Sequence, residues 1–236
     1  MSYTKRVDNR KPDELRKIEA KAGVVERADG SAYFRIGNTA AYAAVYGPRN
    51  LHPRFLQDPK KGILRCEYSM MPFSGAGERV RPGHSRRAKE ISLVTRKALL
   101  PVVDLDEFPN AVVDVYISFT QTDAGSRCAG ICAASIALAD AGIPLKDLVV
   151  AVAVGKVDGM ILVDPSYEEE SMEGEVADIP IALIPSTDQV SLLQMDGIID
   201  KEDLFKAIEL GKKVSTQIYE IQKKVLKHQY VGDKNE

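Results

Sequence analysis

The sequence predicts one domain of the α+β class, with mixed, mostly antiparallel sheets packed against helices and a long C-terminal helix. Three observations predict it: β-rich runs separated by glycine turns, only three clear helical patterns, and neither a long Pro/Gly/Ser linker nor a fixed-period repeat. With 236 residues, 44% of them hydrophobic, the chain can fill a core of its own. We therefore expect a single domain over residues 1–236, with short polar tails at about 1–6 and 231–236.

The N-terminal third is predicted to be mostly antiparallel. Short β-rich runs lie between Tyr33 and Tyr46 and from Ile63 to Tyr68. The turn pairs Asp29-Gly30, Gly37-Asn38 and Gly47-Pro48 punctuate this region and predict hairpins.

The middle of the chain is predicted to hold two helices and the strand between them. Apolar residues recur at helical spacing from Ser85 to Val102, and Ala111–Phe119 is β-branched and partly alternating. After the polar turn Thr122–Gly125, residues Ser126–Ala141 are small and apolar, and Gly142 and Pro144 are typical of a helix end. The sequence predicts a strand, turn and helix unit, with a helix that is buried on most sides.

The C-terminal part is predicted to return to strands and to end in a helix. Leu148–Val157 and Met160–Val163 flank Asp158-Gly159, a strong hairpin signal, and Ile179–Ile184 with Val190–Met195 predict a further strand pair. From Glu202 to His228 an apolar stripe repeats every three or four residues, which predicts a long amphipathic helix whose stripe packs on the core.

Charge and cysteine content narrow the class of protein. Lys and Arg total 32 against 34 for Asp and Glu, so any anion-binding site must be local. Three cysteines do not make a disulfide framework, and the polar N-terminus lacks the apolar segment of a secretory signal. No apolar run reaches 18 residues. We expect a soluble cytoplasmic protein with no membrane partner.

Charge is nevertheless concentrated in two segments of opposite sign. Residues 79–97 contain seven basic residues and one acid, Glu90, whereas residues 164–178 contain seven acids and no basic residue. Taken singly, such runs are usually solvated surface. A glycine turn between them in the sequence makes a binding site the stronger interpretation.

That turn, Asp123–Arg127, has the features of an anion site. Gly125 lets the backbone approach a ligand, and Ser126 opens a helix whose first N–H groups have no partner within the helix. These donors, the Ser126 hydroxyl and the Arg127 guanidinium could hold a phosphate. A guanidinium from a second helix start, Ser85–Arg87, could clamp it from the other side. The alternative is that Ser126 is only an N-cap.

Eight segments together resemble the ribonuclease PH superfamily and, within it, the catalytic ring subunits of archaeal exosomes. They occur in the family's order over about residues 5–230 and are Asp8–Arg16, Ala28–Ala32, Ala44–Pro48, His52–Arg54, Ser85–Arg87, Asp123–Arg127, Ala139–Pro144 and Ala177–Pro180.

The resemblance implies an activity and a set of partners. It implies 3′-to-5′ degradation of single-stranded RNA by inorganic phosphate, which is a co-substrate, with release of nucleoside 5′-diphosphates and a reverse reaction that adds untemplated tails. It also implies a hexameric ring shared with a related non-catalytic subunit and capped by RNA-binding proteins. A non-catalytic RNA-binding ring subunit and a metal-dependent hydrolytic exoribonuclease are the alternatives.

By matching position, the resemblance assigns roles to named residues. Those expected to bind the attacking phosphate are Arg87, Gly125, Ser126 and Arg127. Those expected to hold the RNA backbone are His52, Arg54 and Arg86. Asp178 matches the second of two catalytic acids.

The first catalytic acid departs from the family pattern. The family usually has an Asp six residues before the second acid, where this chain has Met172. An insertion would bring Glu170 into the site, or less favourably Glu169; Glu173 is also near, and we assign Glu170. A carboxylic acid with a raised pKa could give a proton to the leaving 3′-oxygen, or Glu170 and Asp178 could share a Mg²⁺ with the substrate.

Overall fold

Two sheets and the helices between and outside them form the described chain, which is residues 5–76, 79–81, 85–172 and 174–231 of a computed structural model. The first sheet has the strand order β1-β2-β3-β5-β4: β1 (Ile18–Ala22), β2 (Gly30–Ile36), β3 (Thr39–Asn50), β4 (Ile63–Met70) and β5 (Ala111–Gln121). The second has the order β10-β8-β6-β7, with β9 also paired to β8: β6 (Val150–Val157), β7 (Met160–Val163), β8 (Val176–Ile184), β9 (Gln189–Leu193) and β10 (Asp196–Gly197).

The helices connect and cover these sheets. They are a 3₁₀ turn (Arg54–Leu56), α1 (Arg86–Leu99), α2 (Ser126–Asp140), α3 (Tyr167–Glu170) and α4 (Lys201–Val231). The α+β class and the long C-terminal helix are confirmed. None of the helices in the described residues is both long enough and apolar enough to cross a membrane.

Helix α2 forms the centre of the core because it packs against both sheets. It contacts β2 and β3 of the first sheet and β6 of the second. Every residue of β6 is buried, since α2 covers one face of that strand and α4 packs on it as well. Gly30 of β2 makes the close approach possible, because a Cβ there would lie 2.1 Å from the backbone nitrogen of Ala141.

The predicted C-terminal elements are confirmed. Strands β6 and β7 pair antiparallel around Asp158-Gly159, where both residues have positive φ. Strands β8 and β9 also pair antiparallel, and α4 buries Gly211, Val214 and Ile218 from its predicted stripe. Burial of such a stripe, rather than intrinsic propensity, supplies most of a helix's stability.

Two predictions for the N-terminal third are wrong. Strand β4 is not part of a hairpin but pairs parallel with β5, and α1 forms the crossover between them. Gly47-Pro48 does not end a strand either. It lies inside β3, where Gly47 has φ +123° and the pairing with β5 shifts register, as at a β-bulge.

Candidate active site

A cavity of about 1220 Å³ opens where the first turn of α1, the β5–α2 turn, α3 and β8 meet. Six of the nine predicted site residues line it: Arg87, Gly125, Ser126, Arg127, Glu170 and Asp178. The basic and acidic segments therefore face one another across one space.

The β5–α2 turn presents the start of α2 to the cavity. Gly125 is the N-cap of α2 with φ +63° and ψ +20°, in the left-handed region, and Ala124 before it has φ +55°. A Cβ at Gly125 would be 3.5 Å from Arg16 Nη2, an ordinary contact, so the backbone angle rather than space favours glycine here. No side chain caps α2, so its first N–H groups are available to a ligand in the cavity.

Ser126 is not an N-cap, so the simpler interpretation of this residue is wrong. It is the first residue of α2, it is buried, and its Oγ lies 3.1 Å from the hydroxyl of Tyr68 on β4. Tyr68 is buried too, and its ring centroid lies 5.0 Å from that of Phe119. Tyr68, which also lines the cavity, therefore orients the serine hydroxyl.

Arg127 is oriented by a chain of side chains from two other elements. Its Nη2 donates to Glu90 Oε2 on α1 at 3.1 Å, and Glu90 Oε1 accepts from Gln194 Nε2 at 3.0 Å. Arg127 Nε is buried without a hydrogen-bond partner in the described structure. Since a buried unpaired donor costs about 1–3 kcal/mol, this nitrogen is suited to an anion in the cavity.

Two acids face these cations. Glu170 on α3 and Asp178 on β8 both line the cavity, and Glu170 Oε1 and Asp178 Oδ1 are buried without a hydrogen-bond partner in the described residues. Burial, with the neighbouring charge of Asp178, raises the pKa of Glu170 to about 8, although Arg16 and Arg87 act in the opposite direction. Burial also raises the pKa of Asp178, against the attraction of Arg127. Such a pair can hold a proton at neutral pH.

The short helix α3 decides which glutamate enters the cavity. Ser166 and Glu169 form a capping box, and the Glu169 carboxylate points into the protein, where it binds Arg6. Glu170, the next residue, therefore points the other way, into the cavity. Glu169 does not line the cavity, Met172 is exposed, and Glu173 lies outside the described residues.

The three residues expected to hold RNA lie away from the cavity lining. His52 precedes the exposed 3₁₀ turn that begins at Arg54, and Arg86 is exposed on the first turn of α1 beside Arg87. Arg86 therefore lies next to the phosphate-binding groups in the chain, between Ser85 and Arg87, without lining the cavity itself.

Two residues that orient phosphate-binding side chains, Tyr68 and Glu90, are missed in the sequence. There, Tyr68 is only the end of a β-rich run and Glu90 only the one acid in a basic segment. The alternation along β4 could have placed Tyr68 on the buried face with Leu64. Nothing local to Glu90 indicates its contact with Gln194, which is 104 residues away.

Two carboxylates in the cavity, those of Glu170 and Asp178, could bind a divalent cation. No cluster of three or more His, Cys, Asp or Glu side chains suited to a metal occurs in the described part of the chain. Mg²⁺ commonly binds through one or two carboxylates plus water and substrate phosphate, so Glu170 and Asp178, each with an unpartnered oxygen, fit it.

Family models match most of the chain. Residues 14–144 match domain 1 of the 3′ exoribonuclease family, RNase PH, and residues 147–214 match domain 2 of the same family. The boundary falls between α2 and β6, so each match contains one of the two sheets, with the second match stopping within α4.

Individual relatives agree with this match over nearly the full length. The chain is 48% identical to the exosome complex component Rrp41 of Methanopyrus kandleri over 228 residues, covering 97% of this chain and 94% of the relative. It is 50% identical to the Thermococcus kodakarensis protein of the same name, covering 96% and 90% respectively. The crystal structure of rice (Oryza sativa) Rrp46 superposes with a TM-score of 0.82 at 27% identity, covering 94% of this chain and 100% of that one. By sequence and by fold, the chain belongs to the 3′ exoribonuclease (RNase PH) family.

Proposed function

We propose that this chain is a catalytic subunit of an exosome ring that degrades RNA from the 3′ end with inorganic phosphate as the attacking group. The observation that carries the proposal is the meeting of a helix start and two guanidinium groups with two half-buried acids in one cavity. Cations alone would bind a phosphate, and acids alone could bind a metal. Both together suit phosphoryl transfer between two anions.

In the proposed reaction a phosphate oxygen attacks the phosphorus of the terminal phosphodiester. The bond from that phosphorus to the 3′-oxygen of the preceding nucleotide breaks, which releases a nucleoside 5′-diphosphate and leaves a shortened RNA. The start of α2, with Ser126 and Arg127, and the Arg87 guanidinium hold the attacking phosphate. No Ser or Cys nucleophile is needed, because the phosphate itself is the nucleophile.

Glu170 supplies the proton that the leaving 3′-oxygen requires. With its pKa raised to about 8, this carboxyl is protonated at neutral pH, as a general acid must be. Asp178 raises that pKa by its charge and so keeps the proton available. In the reverse direction Glu170 accepts the proton from the 3′-hydroxyl, which extends RNA without a template.

A bound Mg²⁺ would neutralise charge on the transferred phosphate, and Asp178 and Glu170 would hold it. An ionised, metal-bound Glu170 could not also donate a proton. The two roles for this residue therefore predict opposite pH dependences.

Relatives named as exosome components support a proposal for the partners of this chain. We propose that the chain acts as one domain in the cytoplasm, in a hexameric ring with a related non-catalytic subunit and RNA-binding cap proteins. His52, Arg54 and Arg86 would contact the backbone of single-stranded RNA outside the cavity. Binding through phosphates would make it sequence-independent and salt-sensitive.

Charge reversal at Arg127 tests the proposal. In the assembled ring, Arg127→Glu should abolish phosphate-dependent release of nucleoside diphosphates, because it replaces a phosphate-binding cation with an anion. Lys97→Glu makes the same change at an exposed site late in α1 and should remain active. If Arg127→Glu is as active as Lys97→Glu and both release nucleoside diphosphates, the assignment of the phosphate site is contradicted.

A further inference from the structure

Three arginines from the N-terminal segment converge on the loop that carries Glu170. We call residues 6–16 the N-terminal strap and residues 164–170 the acid loop. Arg6, Arg10 and Arg16 of the strap all bind backbone or carboxylate oxygens of Asp164, and Arg6 and Arg10 also reach Glu169. These contacts join parts of the chain about 150 residues apart.

The pair between Arg6 and Glu169 is the most buried of these contacts. Arg6 Nε and Nη2 donate to the two carboxylate oxygens of Glu169 at 2.9 and 2.7 Å, and the two side chains are 1% and 0% exposed. Arg6 also donates to the carbonyl oxygens of Val163 and Asp164, at 2.9 and 3.0 Å. One guanidinium thus binds the acid loop both where it begins and within α3.

Arg16 ties the same loop to the phosphate-binding turn. Its Nε and Nη2 donate to the carboxylate of Asp164 at 2.8 and 2.6 Å, while Nη1 donates to the carbonyl oxygen of Asp123 at 2.5 Å. The Asp123 carboxylate in turn accepts from the backbone N–H of Tyr167 at 3.1 Å. The strap therefore lies behind both halves of the site and connects them.

Neither Arg6 nor Glu169 lines the cavity, so neither can act on the substrate directly. Glu169 nevertheless precedes Glu170, and its carboxylate closes the capping box by accepting from the N–H of Ser166 at 2.9 Å. We propose that Arg6 and Glu169 are a positioning pair, which orients α3 so that the Glu170 carboxyl faces the leaving oxygen. This inference rests on the function proposed above.

The geometry of the pair explains why it would affect the rate. A bidentate guanidinium–carboxylate contact fixes direction as well as distance, and Lys cannot reproduce it. A displacement of about 1 Å at a reacting group can cost about 100-fold in rate. The phosphate-binding side chains Ser126 and Arg127 have contacts of their own, with Tyr68 and Glu90. The loss should therefore fall mainly on kcat rather than on the KM for phosphate.

The test uses the full chain assembled with its ring partner. Arg6→Met removes the pair, Arg6→Lys retains the charge without the bidentate geometry, and Glu169→Gln retains the side-chain shape. The control is Leu99→Ala, which opens a cavity at the C-terminal end of α1, the end opposite the candidate site, and so destabilises the fold alone. Measurements are kcat, the KM for phosphate, and hydrogen exchange of the backbone amides of residues 166–170.

We expect Arg6→Met to lower kcat about 100-fold and to speed hydrogen exchange in α3, with the KM for phosphate within about twofold of wild type. Arg6→Lys should recover part of kcat, and Leu99→Ala should change neither kcat nor exchange in α3. If Arg6→Met does not fold, Glu169→Gln must show the same pattern more weakly. A wild-type kcat in the two Arg6 variants and in Glu169→Gln, or unchanged hydrogen exchange in α3, would overturn the inference.

Failure of the positioning role can be distinguished from failure of the proposed function. If the wild-type ring releases nucleoside monophosphates without inorganic phosphate, the proposed phosphorolysis is wrong. Hydrogen exchange would still show whether the pair holds α3.

Discussion

Replacing Glu170 by Gln should make the protein more stable while it removes activity. Glu170 is largely buried, and its pKa rises from 4.5 to about 8 on folding. Because the pKa is raised in the folded state, its contribution to stability is fully present below pH 4.5 and is lost as the pH rises through 8. Gln has nearly the same shape and carries no charge, so the Glu170→Gln variant does not lose stability in this way as the pH rises.

The size of the effect follows from the two pKa values. The wild-type protein should be less stable than Glu170→Gln by about 1 kcal/mol at pH 5, up to about 3 kcal/mol at pH 7 and up to about 5 kcal/mol at pH 9. A gain in stability on removing a functional group is expected where a site carries an unfavourable buried charge.

Urea denaturation of the full chain between pH 5 and 9, in buffer with EDTA and no Mg²⁺, measures this difference. Glu168→Gln, at the exposed residue two positions earlier, is the matched control and should change stability by less than about 0.5 kcal/mol at each pH. A Glu170→Gln variant that is less stable than wild type at pH 7, or a difference that does not grow with pH, would refute the reasoning.

Three further predictions concern the same cavity. Tyr68→Phe removes the bond to Ser126 and should raise the KM for phosphate about 2- to 10-fold, as expected for one hydrogen bond of about 0.5–1.5 kcal/mol; an unchanged KM in steady-state kinetics would contradict this. Gly125→Ala should cost about 1–2 kcal/mol in urea denaturation because its φ is +63°, and a neutral effect would show that the turn adapts. As a general acid, Glu170 makes kcat fall as the pH rises through about 8, whereas a kcat that rises through this range would favour an ionised, metal-bound Glu170.

Local signals in the sequence predict the elements whose contacts are local. The hairpin at Asp158-Gly159 and the apolar stripe of α4 need only nearest neighbours along the chain, and both are confirmed. The turn at Gly125 is visible for the same reason, since backbone angle and helix start are properties of a few consecutive residues.

Features set by distant partners could not be predicted in this way. Strand β4 has an ordinary β-rich sequence, and its parallel pairing depends on where the α1 crossover places it. Glu169 and Glu170 are adjacent and chemically alike, and nothing local indicates that Glu169 binds Arg6, 163 residues away, while Glu170 lines the cavity. Charge and spacing locate the acidic segment but leave this choice open.

Product analysis tests the central claim most directly. The ring assembled from this chain and its partner is incubated with 5′-labelled single-stranded RNA and Mg²⁺, with and without inorganic phosphate, and the released nucleotides are identified. We predict nucleoside 5′-diphosphates that appear only when phosphate is present. Nucleoside monophosphates formed regardless of phosphate would show hydrolysis, and no products from the assembled ring would show a non-catalytic subunit; either result would contradict the proposal.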